Sequence, residues 1–242
     1  MPIIGCDCTV CQSTNPKDKR LRTSALLSIG DQHLSIDCGP DFRQQMLRAK
    51  VRHLDGILFT HAHNDHIIGL DDVRPFNFRQ KKDMPVYATE EVQTALTKRF
   101  DYIFEANPYP GAPRVLFKTI DSAPFKISET PILPVQFLHG KLPVLGFRVG
   151  NVAYLTDMKT ISKEEKTKLK NLDTLVINAL HHKAHYSYLN LEEALTLIAE
   201  LAPKQAYLTH VSHRMGLYDE INSTLPEGVE LAFDGLVIKG EF

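Results

Sequence analysis

The stretch Thr60-His61-Ala62-His63-Asn64-Asp65-His66 places three imidazoles and one carboxylate within seven residues of the chain. Imidazole nitrogens and carboxylate oxygens are the ligands that zinc and similar divalent ions take. His61 and His63 alternate and point the same way in an extended segment, whereas the adjacent Asp65 and His66 can join them only if the chain turns. This arrangement favours two neighbouring ions rather than one.

Further candidate ligands follow apolar segments that are typical of strands. The apolar segment 54–59 precedes the histidine cluster, His139 follows residues 132–138, Asp157 follows residues 152–156, and His210 follows residues 206–209. A pair of metal ions needs a bridging group and several more protein ligands. Side chains at the ends of neighbouring strands converge on one edge of a sheet, so we expect these residues to serve one metal centre.

This pattern resembles the full ligand set of the metallo-β-lactamase superfamily, in order and spacing over nearly the whole chain. The resemblance implies an α/β fold, the αβ/βα sandwich, in which two mixed β-sheets are flanked by helices. It also implies a first ion held by His61, His63 and His139, a second held by Asp65, His66 and His210, and a bridging Asp157.

A second cluster opens the chain as Cys6-x-Cys8-x-x-Cys11. Three thiols in six residues leave one position open in a tetrahedral zinc site, and His213, three residues after His210, is a good candidate for it. The fourth cysteine, Cys38, lies in an apolar segment and is expected to be a small core residue.

The cysteine motif together with His-x-x-His near the C-terminus resembles the PhnP-type cyclic phosphodiesterases. This resemblance implies a structural zinc beside two catalytic divalent ions, Zn or Mn. The predicted activity is therefore a dinuclear metal-dependent phosphodiesterase that acts on small cyclic or nucleotide-like phosphodiesters.

The catalytic candidates are Asp65, His185 and Tyr188. Relatives of the PhnP type place a histidine that resembles a general acid where this chain has Tyr188. Tyrosine, with a pKa near 10, matches neutral pH poorly unless its pKa is shifted. His185 and His182 are the two histidines that could substitute for it, and we favour His185.

Three alternative functions remain open. An RNA-processing endonuclease of the same superfamily would need a basic, Gly-rich arm to grip tRNA, which we do not find in the sequence. A thioester or lactone hydrolase is compatible with the fold, since fold does not fix function. A non-catalytic metal-binding scaffold is disfavoured by the complete ligand set.

Length and charge bound the remaining properties. A chain of 242 residues suits one metallo-hydrolase domain over residues 1–242, with the cysteine loop 5–20 inside it. The net charge is −1, from 28 Lys and Arg against 29 Asp and Glu, which disfavours a nucleic-acid partner. The sequence has no long apolar run, so we expect no membrane partner and a cytoplasmic protein whose thiols are reduced. A homodimer is left open.

Several local elements are also predicted. The turn Gly30-Asp31 joins two strands in a hairpin, and helices are expected over residues 41–49, 90–100, 162–171 and 191–201, the last with Asn190 as its N-cap. Asp37 either orients a ligating histidine or is a plain turn residue. Arg74 either contacts phosphate or forms a structural salt bridge.

Overall fold

The structure, a computed structural model, describes residues 1–240 of the chain. These residues form two compact units, one from Arg22–Asp121 and one from Met1–Leu21 together with the segment that begins at Ser122. The N-terminal segment contains a one-turn helix, α1 (Thr9–Gln12). A single domain over residues 1–242, with the cysteine loop inside it, stays a prediction.

The unit Arg22–Asp121 is built on a five-stranded sheet. Its strands, in spatial as in chain order, are β1 (Ala25–Ile29), β2 (Gln32–Ile36), β3 (Gly56–Leu58), β4 (Met84–Ala88) and β5 (Val115–Thr119). The hairpin β1–β2 is antiparallel and the other pairs are parallel. The helices are α2 (Phe42–Arg48), α3 (Asn64–Ile67), α4 (Arg74–Gln80), α5 (Glu90–Arg99) and α6 (Asp101–Phe104).

Strand β3 is buried along its whole length, as expected of a strand inside a parallel sheet that is covered on both faces. Val92 and Leu96 of α5 pack in the same buried cluster as Ile57 and Val86 from β3 and β4. This packing holds β3 in place. The histidine cluster follows directly after the C-terminal end of this strand.

The other unit contains a seven-stranded mixed sheet. Its strands are β6 (Phe125–Ile127), β7 (Thr130–His139), β8 (Leu142–Val149), β9 (Val152–Leu155), β10 (Thr174–Asn178), β11 (Gln205–Thr209) and β12 (Val229–Leu231). The spatial order is β12-β11-β10-β9-β8-β7-β6, with antiparallel pairs from β6 to β9 and parallel pairs from β9 to β12. The remaining helices are α7 (Lys163–Thr167), α8 (Leu191–Leu201) and α9 (Tyr218–Asn222).

Helix α8 covers the seven-stranded sheet through an apolar face. Ala194, Leu197 and Ile198 pack in the buried cluster that contains Leu175 and Ile177 of β10. Asn190 accepts a hydrogen bond from the Glu193 N–H while the Glu193 side chain accepts from the Asn190 N–H, so a full capping box begins the helix.

Most predicted elements agree with the structure. The hairpin, the helix after Asp41, the helix after Thr89 and the helix after Asn190 are confirmed. The helix predicted over residues 162–171 is shorter and ends at Thr167, because Leu169 is drawn into the core and Asn171 takes a left-handed backbone. Within residues 1–240, no helix combines the length and apolarity needed to cross a bilayer.

Candidate metal centre

In the unit Arg22–Asp121, the side chains of the histidine cluster come together because the chain turns into α3 directly after His63. The ring of His61 lies 4.6 Å from the ring of His63 and 4.3 Å from that of His66, measured between centroids. His66 Nε2 lies 3.8 Å from Asp65 Oδ2. His61 and His66 are buried, whereas His63 is exposed.

A single buried carboxylate orients two of these histidines. Asp37 follows β2 and is fully buried; its Oδ2 accepts from His66 Nδ1 at 2.7 Å. The Thr60 hydroxyl lies 2.9 Å from the same oxygen and the Thr60 N–H donates to Oδ1 at 2.9 Å. Burial raises the pKa of Asp37, and the His66 imidazole opposes this rise.

The hydroxyl of Thr60 extends this network to His61. Its one hydrogen is donated to Asp37, so the hydroxyl oxygen accepts from His61 Nδ1 at 2.9 Å. His61 and His66 therefore both carry their hydrogen on Nδ1 and present the Nε2 lone pair, the form in which imidazole binds a metal. The contact between Asp37 and a histidine of the cluster is confirmed.

The other unit brings together three more predicted ligands. His139 is the last residue of β7 rather than the residue after the strand, while Asp157 and His210 follow β9 and β11 closely. Asp157 Oδ1 lies 3.3 Å from His210 Nε2 and accepts from the Thr156 hydroxyl at 2.6 Å. His139 Nδ1 donates to the Ser187 carbonyl at 2.7 Å. The lone pair of His139 is therefore on Nε2.

Three candidate site residues adopt a left-handed backbone that non-glycine residues rarely take. The φ angles of Asp37, Asp157 and His210 are 63°, 64° and 53°. Each residue directly follows a strand or lies within two residues of its end, so the turn leads the chain away from the sheet edge. Backbone in this region is costly and tends to be kept where it positions a functional group.

Tyr188 lies between two candidate ligands. Its ring centroid is 4.4 Å from that of His139 and 5.0 Å from that of His210, on which it stacks. The ring of His185 lies 5.2 Å from that of Tyr188. Burial lowers the pKa of His185, and the imidazoles of His181 and His139 add to the effect.

His182, the other histidine considered as an acid, has a structural contact. Its Nε2 donates to the carbonyl of Met215 at 2.7 Å. The side chain therefore connects the loop after β10 to the segment after β11.

The N-terminal cysteines meet His213, as predicted. One ligand atom each from Cys6, Cys8, Cys11 and His213 lies within 4.8 Å of the others. The Cys8 sulfur accepts from the Cys11 N–H at 3.5 Å and lies 3.3 Å from His213 Nδ1, and these two contacts lower the pKa of Cys8 to about 6. A thiolate is the form that binds zinc, so the donor set fits a structural zinc ion. Cys38 is fully buried, as expected of a core residue.

Arg74 forms a structural salt bridge. Its guanidinium lies 3.8 Å from the Asp71 carboxylate and 3.5 Å from the Tyr109 hydroxyl. The ion pair that the salt-bridge alternative predicted for Arg74 is therefore present, and a phosphate contact of Arg74 stays a prediction.

Sequence reasoning missed three supporting residues. Thr60 links Asp37 to His61, and the Ser187 carbonyl orients His139. The side-chain amide of the buried Asn178 accepts from the Met158 N–H at 2.6 Å and donates to the Met158 carbonyl at 3.0 Å. Asn178 ends the apolar strand β10, a polar residue at the same kind of position as Asp157 and His210, and this signal could have identified it. Ser187 acts through its backbone, so its residue type carries no signal.

Comparison with known proteins identifies the family. Residues 33–211 match the Beta-lactamase superfamily domain. The chain belongs to the beta-lactamase superfamily. The predicted fold class, two mixed sheets flanked by helices in the metallo-β-lactamase fold, is confirmed, and so is the resemblance to PhnP.

Similar solved structures cover nearly all of the chain. A new diphosphatase from the PhnP family is 38% identical, has a TM-score of 0.91, and is matched over 98% of this chain and 90% of its own. Human tRNase Z, short form, is 19% identical with a TM-score of 0.69, over 93% of this chain and 94% of its own, and shares the fold.

Curated relatives carry two different names. An octanoyltransferase of Porphyromonas gingivalis is 39% identical over 239 residues, which are 98% of this chain and 48% of that protein. A ribonuclease Z of Archaeoglobus fulgidus is 36% identical over 95 residues, which are 37% of this chain and 31% of that protein. The chain thus spans about half, or less, of the length of the curated relatives that it matches.

The Asp37 network predicts a loss of metal affinity in Asp37→Asn. An asparagine keeps the size of the side chain but has one acceptor oxygen. It therefore cannot accept from His66 Nδ1 on one atom and from the Thr60 N–H on another. We expect metal affinity, measured by competition with a chromogenic chelator, to fall about 10- to 100-fold. Thr60→Val should also weaken it and Thr60→Ser should not. Wild-type affinity in Asp37→Asn would contradict the role of Asp37.

The cysteine cluster predicts that Cys8→Ser destabilises the fold more than it changes the chemistry of the protein that remains folded. Metal at such a site contributes directly to folding. Elemental analysis should show a loss of about one zinc ion per chain, and thermal unfolding should occur at lower temperature. Gln12→Ala, an exposed change in α1, serves as the control and should keep its zinc. Unchanged zinc content and melting in Cys8→Ser would refute the zinc site.

Proposed function

We propose that this hydrolase is a metal-dependent phosphodiesterase that acts on small cyclic or nucleotide-like phosphodiesters. The observation that carries the proposal is its similarity to a PhnP-family diphosphatase at 38% identity over 98% of the chain. The predicted ligands of the catalytic ions, all imidazoles and carboxylates, also support the proposal. The name of the neighbour adds diphosphate linkages to the substrates that deserve testing.

The proposal includes two catalytic divalent ions, Zn or Mn, and one structural zinc. By the family pattern, His61, His63 and His139 would hold the first ion, Asp65, His66 and His210 would hold the second, and Asp157 would be shared between them. Cys6, Cys8, Cys11 and His213 would hold the structural zinc. When bound, the catalytic pair supplies Lewis acidity towards water and towards phosphoryl oxygens. The fixed Nε2 lone pairs of His61, His66 and His139 suit this donor role.

Proton delivery to the leaving alkoxide is assigned to His185. The Ser187 N–H donates to His185 Nδ1 at 3.3 Å, and Ser187 Oγ lies at the same distance from that nitrogen. Because these contacts occupy the Nδ1 side of the ring, we assign the transferred proton to Nε2. Tyr188, between His139 and His210, positions substrate in this proposal and does not transfer the proton.

An RNA-processing endonuclease is the second candidate. The observation in its favour is that several relatives, among them that of Archaeoglobus fulgidus, are named ribonuclease Z. The matched segments are short, and a net charge of −1 provides little attraction to the RNA backbone. The octanoyltransferase relative is a reason to include an acyl thioester among the substrates tested.

A panel assay tests the proposal. Metal-loaded protein is given bis(p-nitrophenyl) phosphate, a cyclic ribose phosphate, a cyclic nucleotide, a dinucleoside diphosphate, a pre-tRNA and an octanoyl thioester. We expect turnover of the small phosphodiesters that is lost in Asp157→Ala, the control for contaminating enzymes. Cleavage of pre-tRNA or thioester at far higher efficiency would replace the proposal with that function.

The acid role of His185 predicts a dependence on the leaving group. General acid catalysis typically contributes about 10²–10⁴-fold. His185→Ala should lose most turnover on a cyclic ribose phosphate but little on p-nitrophenyl esters, whose leaving group departs without a proton. Tyr188→Phe should change KM more than kcat, and His182→Ala serves as the loop control. Equal losses for His185→Ala on both substrate types would exclude the acid role.

A further inference from the structure

Arg22 places a guanidinium beside a predicted metal ligand. It lies three residues before β1, and its Nη1 is 3.5 Å from Oδ2 of Asp65. The Arg22 side chain is 42% exposed and the Asp65 side chain 27%. A separation of 3.5 Å is an ion pair rather than a close hydrogen bond, and a guanidinium has more N–H donors than one carboxylate oxygen at this distance engages.

Two hydrogen bonds hold the backbone of Arg22 against the start of α2. Its N–H donates to Asp41 Oδ2 at 2.8 Å and its carbonyl accepts from Gln45 Nε2 at 2.7 Å. Asp41 occupies the N-cap position of α2 but makes no capping bond to the helix. A carboxylate that ordinarily stabilises a helix end is used here to fix Arg22.

Gly39 packs against the backbone of Asp65. A β-carbon at residue 39 would collide with the backbone carbonyl oxygen of Asp65, whereas its distance of 3.7 Å from Cβ of Arg22 would be an ordinary contact. Gly39 therefore leaves the space that the close approach of its own backbone to Asp65 needs. Its backbone φ is not in the left-handed region, so glycine is required here for space.

We propose that Arg22 binds a non-bridging phosphoryl oxygen of the substrate, an inference that rests on the proposed phosphodiesterase function. Arginine presents a planar fork of donors that matches phosphate oxygens, and its charge persists at every working pH. Asp65 keeps the guanidinium close to the predicted ligand cluster without occupying all its donors. Arg74 also forms an ion pair, at 3.8 Å, but its partner Asp71 is not a predicted metal ligand.

An arginine at this position distinguishes anionic from neutral substrates. A phosphodiester or diphosphate diester carries a negative charge at the reacting phosphorus, and an arginine contact lowers its KM. A neutral thioester or lactone offers no such anion. Arg22 thus favours phosphoryl substrates over acyl substrates at the same site.

The experiment compares Arg22→Ala and Arg22→Lys with the control Arg43→Ala, an exposed arginine in the first turn of α2. Three quantities are measured on metal-loaded protein: KM and kcat for a cyclic ribose phosphate, the Kd of inorganic phosphate by calorimetry, and metal content. In Arg22→Ala we expect KM and the phosphate Kd to rise about 10- to 100-fold with metal content unchanged. Arg22→Lys should recover part of the loss and Arg43→Ala should resemble wild type.

Two outcomes would overturn the inference. Unchanged KM and phosphate Kd in Arg22→Ala would show that the guanidinium does not touch the anion. Loss of metal with unchanged KM would show that Arg22 only positions Asp65.

Phosphate binding also separates this inference from the proposed function. If wild-type protein hydrolyses no phosphoester yet binds phosphate more tightly than Arg22→Ala does, the function fails and the anion contact stands. If wild-type protein is active and Arg22→Ala binds phosphate equally well, the function stands and the inference fails.

Discussion

The hydrogen bond between the buried carboxylate of Asp37 and His66 is the interaction on which the histidine cluster depends. Asp37 is placed at the end of β2 beside the end of β3, because its N–H donates to the Leu58 carbonyl of the neighbouring strand. From there one carboxylate sets the orientation of His66 directly and of His61 through Thr60. A charge buried without partners would be strongly unfavourable, so the donors around Asp37 stabilise the carboxylate as well as the histidines.

In the seven-stranded sheet, strand ends and backbone turns place the candidate ligands. Strands β7, β9 and β11 run in one direction, so their carboxyl ends lie at one edge of the sheet. Left-handed backbone at Asp157 and His210 turns the chain immediately after the strand. The buried Asn178 then holds the segment after Asp157 through Met158. Rigid strands and a few costly dihedrals together limit the positions these ligands can take.

The N-terminal segment is tied to distant parts of its own unit by polar contacts. The cysteines meet His213, the amino group of Met1 donates to the Val211 carbonyl at 2.7 Å, and Asp18 accepts from the Tyr218 N–H at 2.8 Å. Such contacts join residues about 200 positions apart. A zinc ion at the thiolates would add a further link where the segment has few buried apolar side chains.

The ligand pattern indicated the family by resemblance, and the family implied the fold class. Local apolar segments indicated that the candidate ligands follow strands, because ligand spacing and strand periodicity are both local. The residue pattern left Asp37 and Arg74 undecided and assigned no role to Thr60, Ser187 or Arg22. Tertiary structure supplied these contacts, since the Asp37–His66 hydrogen bond joins residues 29 positions apart and the Arg22–Asp65 ion pair joins two separate segments of the chain. Hydrogen-bond direction and close approach arise from packing between separated segments, which local patterns do not encode.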